Sequence, residues 1–102
     1  MKKVTMYIGL NDKDTKQQKI NTIEAYKMCQ NVFADFFGGS TIFEGKGTYT
    51  HDDGQMVFEN TLVCIIYTEN IEDVKKAATI IKTALNQESI AIEVVESNSF
   101  FF

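Results

Sequence analysis

The dipeptide Asp53-Gly54 constrains this chain more than any other feature, because it stands between two runs of alternating residues, STIFEGKGTYT and QMVFENTLVCIIY. Both residues reach positive φ readily, and an Asp-Gly pair flanked in this way is a strong signal for an antiparallel hairpin. A two-residue loop sets Tyr49 opposite Phe58, Gly45 opposite Leu62 and Phe43 opposite Cys64 on one side of the ribbon. The other side pairs Thr48 with Glu59, Lys46 with Thr61, Glu44 with Val63 and Ile42 with Ile65. One face is then aromatic and aliphatic, and the other is polar near the turn. A slip of one residue would exchange the faces of one strand against the other. In the expected register Lys46 lies diagonal to Glu59, close enough for a cross-strand pair worth roughly 0.2–1 kcal/mol.

The segments around this ribbon can be read in order. Val4 to Leu10 alternates, with Val4, Met6 and Ile8 on one side and Thr5 and Tyr7 on the other, which predicts a half-buried strand. The polar run from Asn11 to Lys19 predicts a solvated loop. Asn21, with Glu24 three residues on, predicts a helix N-cap, and Ile23, Tyr26, Cys29, Val32, Phe33, Phe36 and Phe37 follow at helical spacing. Gly38-Gly39 stops that helix. Asn70 and Asp73 repeat the capping pattern ahead of a second stripe, Ile71, Val74, Ala78, Ile81 and Leu85. Ile90 to Glu96 alternates again as a last strand.

Strand, helix, strand, strand, helix, strand is the order of a ferredoxin-like plait, and the expected fold class is α+β. Right-handed crossovers give a four-stranded antiparallel sheet, order 4-1-3-2, with two helices on one face. The 102 residues are expected to form one domain, 1-102, with a tail over 97–102 either packed on the sheet or exchanged between copies. In the two-residue register the helix-facing layer takes Val4, Met6, Ile8, Phe43, Tyr49, Phe58, Leu62, Cys64, Ile66, Ile90, Ile92 and Val94. The uncovered face takes Glu44, Lys46, Thr48, Glu59 and Thr61 near the turn. Farther back it takes Ile42, Val63, Ile65, Tyr67, Tyr7, Ala91 and Val95. An apolar patch of that extent marks an interface, so Ile42, Val63, Ile65, Tyr67, Phe100, Phe101 and Phe102 are the expected contact residues of a dimer or trimer.

Charge and composition exclude several function classes. The net charge of −4 argues against a nucleic-acid backbone as the main partner. All ten basic residues are lysine, so bidentate guanidinium recognition of phosphate is not open to this chain. No apolar run reaches the roughly 18 residues of a membrane span. The apolar part of MKKVTMYIGLND is too short for a signal peptide, and the expected compartment is the cytoplasm. Cys29 and Cys64 lie in apolar surroundings on different elements and are expected as reduced core thiols.

Several short motifs have plainer roles than the chemistry they resemble. GKGT at Gly45 to Thr48 lacks the leading glycine and trailing hydroxyl of a phosphate loop. Asp12 and Asp14 begin like a calcium loop, but no glycine or terminal glutamate follows in place. His51, Asp52 and Asp53 form a histidine–carboxylate group on an exposed turn, where a surface role is favoured. Met6-Tyr7-Ile8-Gly9-Leu10 is similar to one motif of RNA-recognition domains, while Gln55 to Glu59 does not match the partner motif. The residues expected to hold a ligand are Tyr7, Lys46, Tyr49 and Glu59, with Glu59 as acid or base and Lys46 as anion anchor. No catalytic residue, metal or cofactor is assigned.

The stretch GGSTIFEGKGTYTHDDGQMVFENTLVCIIY resembles an uncharacterised bacterial ferredoxin-like family. In that family glycine and threonine lead into a glycine-spaced strand, a polar turn, and a strand running from glutamate into aliphatics. The layout is similar, more loosely, to PII-like signalling proteins, trimers that bind nucleotides or small metabolites between subunits. This chain has a tight turn where those proteins carry a long loop, and it has no counterpart of their phosphate-gripping arginines. The resemblance implies a small oligomeric ligand-binding or regulatory module. The second reading is a dimeric α+β barrel type enzyme using Glu59, Lys46 and Tyr7. The third is a protein-interaction module such as a mobile-element inhibitor.

Overall fold

Six elements follow the periodicities of the sequence, and the structure, a computed structural model, describes residues 1–50 and 52–102. They are β1 (Lys2–Gly9), α1 (Thr22–Phe37), β2 (Thr41–Thr50), β3 (Met56–Thr68), α2 (Ile71–Ala84) and β4 (Ala91–Glu96). The strands form one antiparallel sheet in the order β2-β3-β1-β4, the expected plait read from its other edge.

Both helices begin where side chains replace missing backbone partners. Asn21 Oδ1 accepts from Glu24 N–H at 2.8 Å, and Asn70 Oδ1 accepts from Asp73 N–H at 3.1 Å. Gly38 ends α1 in the left-handed region, φ 79°, and its N–H donates to Ala34 O at 3.0 Å. The buried line of α1 is Ala25, Cys29 and Phe33, with Met28, Val32, Phe36 and Phe37 half-buried beside it. Ile23, expected in that stripe, instead points outward and is 65% exposed. On α2 the buried line is Val74, Ala77, Ala78 and Ile81, continued by Leu85.

These stripes cover one face of the sheet, where Val4, Met6, Ile8, Leu62, Cys64 and Ile66 are fully buried. Cys29 and Cys64 are free thiols that meet in this core. Hydrogen bonding to Cys29, together with burial, pushes the Cys64 thiol well above its ordinary range. Ile92 and Val94 belong to the same face but stay about two-fifths exposed, because β4 is an edge strand.

The hairpin departs from the expected register by one residue. Its ladder pairs Thr41 with Ile65, Ile42 with Cys64, Phe43 with Val63, Lys46 with Asn60 and Thr50 with Met56. The connection is therefore longer than the two residues expected. Gly54 keeps its turn role with φ 86°, and Asp53 Oδ1 accepts from Gln55 N–H at 2.9 Å. His51, grouped with Asp52 and Asp53 from the sequence, lies outside the described residues.

Because side chains alternate with period two, the slip turns the whole of β2 over relative to expectation. Ile42, expected at an interface, packs against the helix-covered core opposite Cys64. Phe43 and Tyr49, expected in the core layer, lie on the uncovered face, where Phe43 is 50% exposed. Glu44, Lys46 and Thr48 move to the helix side. Phe58 stays on the helix side but lies beyond the reach of the helices, 68% exposed on a hairpin that lengthens the molecule to 46 Å.

Candidate functional site

Glu59 is positioned by three segments far apart in sequence. It sits on the uncovered face of β3, and its Oε2 accepts from Asn11 N–H at 3.1 Å. Asn11 is held in turn from both ends. Its Nδ2 donates to Phe58 O at 3.3 Å, and Gln87 Nε2 donates to its carbonyl at 2.7 Å. The Glu59 carboxylate lies across Gly9, where a Cβ would come within 2.3 Å of Oε1. Glycine at the end of β1 is what lets the carboxylate rest there.

A cleft of about 340 Å³ opens beside Glu59, walled by Asn11, Lys13, Tyr49, Gln87 and Glu88. Its floor is the sheet end, and its sides are the 11–18 loop and the turn leaving α2. The loop is pinned by Asp12. One oxygen, Oδ1, accepts from the amides of Asp14 at 2.9 Å and Thr15 at 3.0 Å, and Oδ2 accepts from Asn86 Nδ2 at 2.9 Å. The Asn86 hydrogen bond and then the Thr15 and Asp14 amides hold the Asp12 carboxyl down at about 2. Asn86 also donates to Asp14 Oδ2 at 2.9 Å, so both aspartates that resembled a calcium loop serve as fasteners. Among the described residues no group of three or more His, Cys, Asp or Glu is placed to hold a metal.

Of the four expected ligand residues, the structure brings two together. Tyr49 and Glu59 line the cleft, and Tyr7 lies on the same face next to Val63, 44% exposed. Lys46 is separated from them by the sheet. Its ammonium donates to Asn60 Oδ1 on the helix side, and Asn60 Nδ2 donates to Gln18 Oε1 at 2.7 Å. The expected Lys46–Glu59 pair therefore does not form, and the corrected register is the reason. Sequence reasoning missed Asn11, Lys13 and Gln87, which sit in loops whose polar composition reads as plain solvation. A glycine closing an alternating strand, Gly9, was the one signal that something approaches closely there.

The remainder of the uncovered face is apolar. Tyr7, Phe43 and Val63 stand side by side across three strands, and Ile65 and Tyr67 continue the row along β3. The tail reaches this face at its far end. Ser97 N–H donates to Met1 O at 2.9 Å, and the Phe101 ring meets Tyr67 edge-on at 6.0 Å. Phe101 nonetheless stays 79% exposed, and Phe100 and Phe102 are exposed as well. Near the tail a second hollow of about 340 Å³ lies between Phe37, Gly39, Thr41, Ile65, Tyr67 and Phe101.

A four-stranded plait with one face covered by helices and the other open defines a ferredoxin-like fold, and solved structures share it. A phage SAM lyase in complex with S-methyl-5'-thioadenosine superposes with a TM-score of 0.73 at 20% identity, covering 93% of this chain and 80% of that one. The divalent ion tolerance protein CutA1 from Ehrlichia chaffeensis gives 0.62 at 15% identity, covering 97% and 84%. The periplasmic divalent cation tolerance protein CutA from Archaeoglobus fulgidus gives 0.64 at 13% identity, covering 97% and 87%. At these identities the likeness is one of fold. The chain itself belongs to the DUF3574 family, described as proteins of unknown function, which it matches over residues 3–101. No curated protein matches the sequence.

Proposed function

We propose that this protein is a small oligomeric module that binds a small molecule where its subunits meet. The observation that carries this reading is the open sheet face. Tyr7 and Phe43, both exposed, and Val63, Ile65 and Tyr67, half-buried, form a continuous apolar surface over which no helix of the described residues lies. Fully burying an exposed side chain of this kind contributes roughly 1.5–3 kcal/mol, and a half-exposed one proportionately less, and a second copy is the natural cover for an apolar patch. Val63, Ile65, Tyr67 and the tail phenylalanines Phe100–Phe102 are the proposed contacts. The cleft at Glu59 and Tyr49 opens at the edge of that face, so assembly would wall it further.

The comparisons support the reading in one respect. A protein of the same fold has been solved with a small molecule bound, in that case S-methyl-5'-thioadenosine. The two free thiols suit a reducing compartment, and we place the module in the cytoplasm. No helix among the described residues is long and apolar enough to cross a membrane. Size-exclusion chromatography with light scattering tests the assembly. The expected mass is a dimer or trimer of the 11.6 kDa chain at micromolar concentration. A single species at 11.6 kDa, unchanged on concentration, would overturn the proposal.

A further inference from the structure

The Glu59 carboxylate is fixed and yet incompletely used. A carboxylate accepts at about four lone-pair sites, and Glu59 receives one hydrogen bond among the described residues, from Asn11 N–H to Oε2. Among the described residues Oε1 has no donor, and the side chain lies half-buried beside the cleft. The other acid deep in this region, Asp12, has both oxygens engaged by Asp14, Thr15 and Asn86. At the rim Lys13 and Glu88 are both exposed and opposite in sign, so they offset one another. The Lys16 ammonium is taken up by the Lys13 carbonyl at 2.6 Å. The lining thus carries three carboxylates, Asp12, Glu59 and Glu88, against two ammonium groups, Lys13 and Lys16, so the cleft favours a cation, and Glu59 is the half-buried carboxylate with acceptor sites left.

From this arrangement we propose that the cleft binds a small molecule carrying a primary ammonium, which donates to Glu59 Oε1 alongside Tyr49. An ammonium supplies three donors on one positive centre, matching the vacant acceptor sites, and an aromatic ring is a favourable neighbour for a cation. The remaining walls, Asn11, Gln87 and Ser89, are amide and hydroxyl groups, which suit a polar remainder of the ligand. A volume of about 340 Å³ sits at the small end of ligand pockets, commonly about 300–1,000 Å³, so the ligand is the size of an amino acid. This inference names the ligand class for the module proposed above and rests on that reading for its biological setting.

Three probes of matched size separate the chemistry by calorimetric titration of the full chain. L-glutamine carries ammonium and carboxylate, 4-aminobutanamide carries the ammonium, and glutaramate carries the carboxylate. Both amines are expected to bind with saturation, and glutaramate is expected to bind about tenfold or more weakly, the scale of a lost charge-assisted hydrogen bond. Glu59→Gln should erase the preference for the amines while leaving the circular dichroism spectrum unchanged. Gly9→Ala should do the same by pushing the carboxylate aside, since the new Cβ meets its flexible end. Equal binding of glutaramate, amine affinity unchanged in Glu59→Gln, or no binding of either amine at millimolar concentration would overturn the inference. Light scattering on the same samples keeps the two readings apart. An intact oligomer that binds no amine overturns the ligand class, whereas a monomer that binds amines through Glu59 overturns the assembly.

Discussion

Asp12 shows how much one side chain can organise here. Its carboxylate ties the 11–18 loop to Asn86 and so holds one wall of the cleft, and those hydrogen bonds favour its charged form. Its folded value of about 2 lies below the ordinary 3.8, so the unfolded chain takes up this proton first as the pH falls. The stability it confers is fully present above about pH 4 and is lost as the pH drops through about 2. Urea unfolding of the wild type and Asp12→Asn should show a stability difference at pH 6 that shrinks towards pH 2. A difference independent of pH would show that the loop is held by something else. The residue type alone does not announce this role, because an aspartate in a polar loop looks solvated until Asn86 is seen beside it.

At the scale of elements, the helices were legible because their signals are local. Asn21, Asn70 and Gly38 act within a turn of their own positions, and the apolar stripes of α1 and α2 need only the helical repeat. Replacing Asn21 by alanine leaves an amide of the first turn without its partner and should cost about 1 kcal/mol. Gly38→Ala should cost about 1 kcal/mol as well, because a Cβ is disfavoured at positive φ. Equilibrium unfolding in urea measures both, and unchanged midpoints would mean that tertiary packing, not capping, sets those boundaries. The hairpin was legible in existence and in the turn role of Gly54, but not in register. The alternation of β2 is satisfied nearly as well by either phase, since Ile42 and Phe43 are both apolar. What selects between them is the space beneath α1, which takes Ile42 beside Cys64. That one step carried Lys46 away from Glu59.

Over the whole molecule, the helices cover one face of the sheet and leave Tyr7 and Phe43 exposed and Val63 half-buried on the other. Val63 stands at the centre of that row. A lysine there would place a charge where the proposed partner subunit packs, yet in a separate monomer its ammonium could reach water. Val63→Lys should therefore lower the mass seen by light scattering to that of one chain, with the circular dichroism spectrum retained. An unchanged oligomeric mass would move the interface away from this face. The same overall arrangement buries Cys29 and Cys64 between α1 and β3, as their apolar settings in the sequence led one to expect.

By itself the sequence determined the order of the elements, the helix ends, the plait and the existence of a bare sheet face, because capping, periodicity and turn chemistry act over a few residues. The tertiary structure decided which side of β2 faces the core and which distant groups gather at the cleft. Asn11, Glu59 and Gln87 meet only once two connections have been folded against β3 at one end of the sheet. A period of two is blind to its own phase, and no local rule links residues so far apart in the chain; packing supplies both.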